Sequence, residues 1–306
     1  MSTERADGSA PNLARRLRWA RRRKALLISW RTFRTDRVGM AALVVLVLFI
    51  AVALFAPLLA DVQELNEATA QGRPFSRPSF RYPLGTDEFG RSVLALMIWG
   101  SRVSLLVGLL ATVGAMTIGS AVGIVGGYVG GAGDSALNAV TNWFLVIPWI
   151  PLAIVLAASL SPGLATISIV IAITSWASTA RLVRAQVLSV KERLYVERSR
   201  ALGAQHWHVM TRHVSPNVLP IILANTVLTI AVAILSETTL AILGLGDPNS
   251  ISWGTIIQGA FAQGAITIGA WWYLLPPGIA IAIVVLSFML VGNALDEMVN
   301  PRLRGR

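Results

Sequence analysis

The stretch MAALVVLVLFIAVALFAPLL, residues 40–59, runs for twenty residues without one charged, amide or imidazole side chain. A helix of that length rises about 30 Å, the thickness of the hydrocarbon core of a bilayer, so the run reads as a helix in lipid. It is longer than the apolar core of an ordinary signal peptide and is preceded by thirty-nine residues. No clear small-x-small cleavage site follows it, so it is expected to stay as a membrane span. Five further runs reach the same length class: Ser101 to Gly123, Ser135 to Leu160, Leu164 to Ala180, Val218 to Leu243 and Tyr273 to Leu295. With 55% hydrophobic and 13% charged residues in 306, the chain has too little polar surface to cover a water-soluble globule. The expected fold is all-α, with six transmembrane helices.

The net charge of +11 has two ordinary readings, a nucleic-acid partner or an anionic membrane surface. Position decides between them. Residues 1–39 hold eleven Arg and Lys, residues 178–216 hold seven, and three more follow residue 293, which makes 21 of 26. Basic residues gathered in alternate connections of an apolar chain follow the positive-inside rule, whereas a nucleic-acid binder collects them on one soluble face. Both termini and the 181–216 loop are therefore expected in the cytoplasm, and six spans agree with that. The division is a basic cytoplasmic segment 1–39 and a six-helix domain 40–306. Its external loop covers about 60–99, with five acidic and four basic residues. A second external connection, 244–272, carries only Asp247 and ends in Trp271, Trp272 and Tyr273, which read as an aromatic belt at the interface.

Catalytic chemistry is not visible. The chain has no cysteine, and its two lysines, Lys24 and Lys191, do not follow glycine, so no phosphate-cradling P-loop is present. GGYVGGAGDSA, 126–136, has the spacing of a dinucleotide fingerprint but no preceding parallel strand, and reads as a tight turn between spans. His206, His208 and His213 lie close in sequence, yet no acid or thiol completes a ligand set, so no metal is expected. No nucleophile elbow or paired carboxylates appear. Glu237 is the one acid well within a span, and ionisable groups there are costly; it reads as a group lining the substrate path or pairing with a neighbouring helix. Gly119, Gly123 and Gly127, spaced by four, form one stripe on which a second helix can approach closely.

The inner loop carries YVERSRALGAQHWHVMTRHVSPN, 195–217. A helical projection of its start puts Tyr195, Ser199, Leu202 and Gly203 on one side and Glu197 and Arg200 opposite. Such a helix lies on headgroups or fills a groove in a cytosolic partner. The stretch resembles the cytoplasmic loop of ABC importer permeases, built on Glu-Ala-Ala, three residues, then Gly, with a closing Leu-Pro. Glu197, Gly203 and Pro216 match, while Arg198 and Ser199 replace the alanines and Ser215 the leucine. PLGTDEFGRSVLALMIWGSRVSL (83–105), WASTARLVRAQVLSVKE (176–192), LAILGLG with SWG (240–254) and the ending NPRLRGR are similar to C-type permeases of dipeptide, oligopeptide and nickel importers. Ser92 departs from the aspartate usual after Gly-Arg.

This resemblance, covering residues 35–306, implies the type I importer fold in a bacterial plasma membrane. It implies a B-type permease as heterodimer partner, two cytosolic ATPase subunits or one fused ATPase, and an extracytoplasmic substrate-binding protein. ATP and Mg would be used by those ATPases, with no cofactor on this chain. Tyr195, Val196, Glu197, Arg198, Ala201, Leu202 and Gly203 would form the ATPase-coupling helix. Nickel or haem remain alternative cargoes. An ion-coupled secondary transporter should show inverted repeats and several midplane charges, and an intramembrane enzyme should show paired catalytic groups. Neither pattern is visible.

Overall fold

A computed structural model describes residues 31 and 33–299; the basic segment before residue 31 and the NPRLRGR ending lie outside the described residues. Helix α1 (Arg37–Leu54) starts where Asp36 accepts hydrogen bonds from the Val38 and Gly39 amides, and a short α2 (Ala56–Leu59) follows a break ahead of Pro57. Then come α3 (Val93–Val129), α4 (Gly131–Val146), α5 (Trp149–Ser159), α6 (Leu164–Lys191), α7 (Leu194–Ala201) and α8 (His206–Val209). Helices α9 (Ser215–Leu240), α10 (Trp253–Ala262) and α11 (Trp271–Val299) complete the chain. Among the described residues there is no strand, only an isolated bridge between Thr86 and Ser92.

Among the described residues, five helices are long and apolar enough to cross a membrane, and six crossings result if α4 and α5 form one span. The apolar run from Ser135 to Leu160 is not one helix but two, α4 and α5, bent by 92° at Ile147–Pro148. Proline has no N–H to continue the ladder and drives the residue before it out of the helical region, so an apolar run long enough to span breaks there. Helices α3, α6 and α11 are longer than their apolar cores. α3 has 37 residues where hydropathy marks 23, and α6 continues eleven residues past Ala180. Helical hydrogen bonding does not stop at the hydrocarbon edge, so charged turns such as Arg181–Lys191 extend it.

The closest packing joins α3 and α6, which run parallel and are linked by the bent return. A Cβ on Gly119 would stand 2.6 Å from the Trp176 carbonyl oxygen, on Gly123 2.6 Å from that of Ala180, and on Gly127 2.9 Å from Val187 Cβ. Lipid gives helices no hydrophobic reason to associate, so backbone contact of this kind supplies dispersion that larger residues would prevent. The two helices are also joined by polar groups: Asn225 of α9 donates to Thr179 Oγ1 at 3.3 Å, and Thr179 donates to Met116 Sδ at 3.5 Å.

The far end of the bundle, where α3 begins and α9 finishes, is more closed than a long external connection suggests. Ser92 caps α3 by accepting from the Ala95 amide, a job serine and aspartate both do well, which accounts for its place after Gly-Arg. The 244–272 connection folds back as α10, with Trp253 only 1% exposed and its indole N–H on the Met97 carbonyl. With one charge in the whole segment, little opposes that burial. The aromatic belt is also corrected: Trp271 is exposed, but Trp272 and Tyr273 are buried in protein, and the Trp272 indole donates to the Thr86 carbonyl.

Candidate functional site

At the near end, where α3 and α6 finish and α9 starts, the chain between Lys191 and Ser215 folds into a cap across the bundle. Helix α7 has eight residues, too few to hold a helix in water unaided. Val196 anchors it, fully buried among Tyr128, Val183, Val187, Val190, Val209, Val214 and Val218. Within this helix Val196 faces the core, while Tyr195, Glu197, Arg198, Ala201 and Leu202 face out and Ser199 is half-buried. The projection grouping Tyr195 with Ser199 and Leu202 fails because the face is set by one inward valine, and Leu202 already lies past the last helical residue.

The helix stops in a Schellman turn. Gly203 has φ +80°, its amide donates to the Arg200 carbonyl at 2.9 Å, and the Ala204 amide reaches back to Ser199 at 3.1 Å. Glycine takes this left-handed conformation without the Cβ penalty. Three large apolar side chains of the cap stand in the open: Leu202, just before the turn, is 89% exposed, Leu194 at the start of α7 71%, and Trp207 70%. With Tyr195, and with Glu197 and Arg198 exposed on the same short helix, they give the cap an apolar and charged outer face of the composition found at protein-docking surfaces. Leu194 and Trp207 were not among the residues expected to dock. Their signal, an apolar residue in an otherwise charged loop, was available in the sequence but had no geometry to place it.

Beneath the cap, the helix ends are fastened to one another by charges. Lys191 Nζ donates to the Gly127 carbonyl at 2.8 Å, a cation on the C-terminal turn of α3, where the helix dipole favours it. Arg184 donates through Nε and Nη2 to both oxygens of Asp134 at 2.6 and 2.7 Å, tying α6 to the first turn of α4. Asp134 had been read only as part of a turn. Its partner lies fifty residues on and cannot be found by spacing.

Glu237 sits elsewhere, at the far end. It is 2% exposed and accepts from Ser104 Oγ at 3.4 Å, while Ser104 Oγ itself accepts from the Trp253 amide at 3.1 Å. The carboxylate thus joins α9, α3 and the start of α10 inside the subunit. A cavity of about 290 Å³ opens nearby among Glu88, Arg91, Asp247, Gln258 and Tyr273, and Glu237 does not line it. His206, His208 and His213 all lie in the cap, with rings of His208 and His213 5.9 Å apart. Among the described residues, no group of three His, Asp or Glu could hold a metal ion.

Comparison with known proteins gives the arrangement a context. Residues 117–305 match the model of the binding-protein-dependent transport system inner membrane component, and residues 26–74 match the N-terminal transmembrane domain of oligopeptide transport permease C. The chain is 32% identical over 278 residues to a dipeptide transport system permease protein of Bacillus subtilis (strain 168), covering 90% of this chain and 85% of that protein. It is 34% identical over 275 residues to an oligopeptide transport system permease protein of the same organism, covering 89% and 88%. Among solved structures, a chain of the MetNI methionine ABC transporter in an inward-facing form is similar in fold, with a TM-score of 0.53 and 21% identity. That match covers 70% of this chain and 97% of that one.

Proposed function

The chain belongs to the family of binding-protein-dependent transport system inner membrane components, and from that premise we propose that it is the permease subunit of an ATP-driven importer of di- or oligopeptides. The observation that carries this reading is the outer face of the cap, with Leu194, Leu202 and Trp207 exposed on and beside a short charged helix, on a membrane bundle without a nucleotide loop of its own. This face takes up a cytosolic ATPase. Energy then enters as a push on α7, and two arrangements of the bundle, open to either side, exchange as the ATPases close on ATP and part after hydrolysis. ATP and Mg stay on those partners.

In this reading the near end is cytoplasmic and the membrane is a bacterial inner membrane, with residues 1–39 and the 181–216 loop inside and the 60–99 segment outside. The substrate path runs between this chain and a B-type permease. Two ATPase subunits, or one fused ATPase, bind beneath, and an extracytoplasmic binding protein delivers the cargo. The burial of Glu237 supports a role in holding the far end together.

The test is reconstitution of the chain in liposomes with the second permease, the ATPases and the binding protein. ATP-dependent accumulation of a labelled dipeptide or short oligopeptide is expected, and none with this chain alone. Accumulation by the chain alone, driven by a proton or sodium gradient, would make it a secondary transporter. ATP-driven uptake of nickel or haem but not peptides would change the cargo and keep the class.

A further inference from the structure

The cap holding α7 reaches the long helix α3 through one aromatic ring. Tyr128, in the last turn of α3, is 6% exposed. The Arg200 guanidinium lies over its ring, 5.0 Å from the centroid. Its hydroxyl shares a 3.3 Å hydrogen bond with His206 Nδ1, and the His206 ring meets it edge-on with centroids 5.9 Å apart. Tyr128 is thus gripped from one side by the last turn of α7 and from the other by the first residue of α8, and it is packed in the valine cluster that anchors Val196. Helix α3, which carries it, runs 37 residues to the far end, where Ser104 joins Glu237 and Trp253. Its glycine stripe locks it against α6, and Lys191 fastens the same terminal turn at Gly127.

We propose that Tyr128 is a positioning residue that couples movement of α7 to the α3–α6 pair, so that a push on the docking patch displaces α3 along its length. A packed ring under a guanidinium transmits displacement because it has no soft direction on the side of the push, whereas a loop connection alone would bend. The inference rests on the reading of α7 as the point where ATPase energy enters. It goes beyond that reading in naming where the energy leaves α7.

The experiment uses the reconstituted complex and reads peptides accumulated per ATP hydrolysed, together with basal ATPase and subunit assembly. The reading it rests on is checked first: the wild-type complex must show ATP-driven uptake, and Leu202→Asp must lower it. No uptake in the wild type sinks the proposed function, and uptake untouched by Leu202→Asp removes Leu202 from the docking surface; neither bears on Tyr128. With that control in place, Tyr128→Phe keeps the ring beneath Arg200 and should stay within about twofold of wild type, while Tyr128→Leu should lower the ratio about fivefold with basal ATPase and assembly intact. Arg200→Gln, a surface change that leaves the core alone, should lower it in the same direction. The double variant should be no worse than Tyr128→Leu, since both remove one contact. A ratio unchanged in Tyr128→Leu, or uptake and ATPase falling in equal proportion, overturns the proposal, as does strict additivity. If Tyr128→Leu does not assemble, Arg200→Gln with Tyr128→Phe decides: an unchanged ratio in Arg200→Gln overturns it.

Discussion

The two stretches that carry the family resemblance most strongly, PLGTDEFGRS at the far end and YVERSRALGA at the near end, use charge in opposite ways. In the first, Asp87 is fully buried. It accepts from the Phe89 and Arg91 amides at 3.0 and 2.7 Å and from Arg91 Nε at 2.6 Å, and Arg91 also reaches Glu67 at 3.0 Å. Asp87 and Arg91 answer each other within the chain, while Glu88 Oε2 beside them is buried without a hydrogen-bond partner. In the second, Glu197, Arg198 and Leu202 are exposed, Val196 is the one fully buried residue, and Arg200 lies over the Tyr128 ring. A motif whose charges are paired within the chain makes structure, and one whose charges stand in solvent is open to a second protein.

The first way to break this contrast is Asp87→Ala. Removing one partner of a buried pair leaves Arg91 without its carboxylate and two amides without an acceptor, and should cost about 4 kcal/mol of stability. The amount of assembled subunit and its thermal midpoint in detergent should fall together. Normal stability with lost uptake would mean that the far-end motif, too, is a contact surface. Next comes Gly123→Leu in the α3–α6 seam, where the new Cβ meets a backbone carbonyl that cannot move aside. A loss of about 2 kcal/mol is expected, read from unfolding in mixed micelles. Leu202→Asp lies on the other side of the contrast. It should leave the thermal midpoint unchanged while weakening ATPase binding about tenfold, as a charge placed in an apolar contact does. Binding unchanged in that variant would remove Leu202 from the docking surface.

How far the sequence foretold this molecule follows the same division. Spans are legible because lipid imposes a length and a polarity that composition alone reveals, and five of the six runs lie on long helices. The sixth was readable as apolar but not as bent, although Pro148 sits at the bend, because a proline within a span kinks some helices and ends others. The glycine stripe was legible as a face; that its partner is α6, parallel and one bent return away, depended on tertiary packing. Asp134 and Arg184, Tyr128 and Arg200, and Ser104 and Glu237 are separated by 50, 72 and 133 residues, and no local period connects them. The helix α7 was singled out by likeness to a family, and that likeness could not tell that Val196 alone among its residues is fully buried, because a motif states which residues recur and not which way they face.

Gly203 gives the smallest effect and the sharpest discrimination. As a residue that fits a groove in the ATPase, it should tolerate substitution by size, so alanine would be better than asparagine and both better than valine. As the turn residue that ends α7, it should tolerate substitution by ease of reaching φ +80°, where asparagine is better than alanine and valine is worst. A Cβ at this position would meet nothing within 4 Å, so the subunit itself sets no size limit. The backbone penalty for alanine is about 1 kcal/mol, enough to fray the last turn of a helix held by one valine and to blur the position of Leu202. The order expected for uptake is therefore Gly, Asn, Ala, Val, with the subunit equally abundant in the membrane throughout. An order of Gly, Ala, Asn, Val would hand the glycine to the partner's groove and make the Schellman turn incidental to docking.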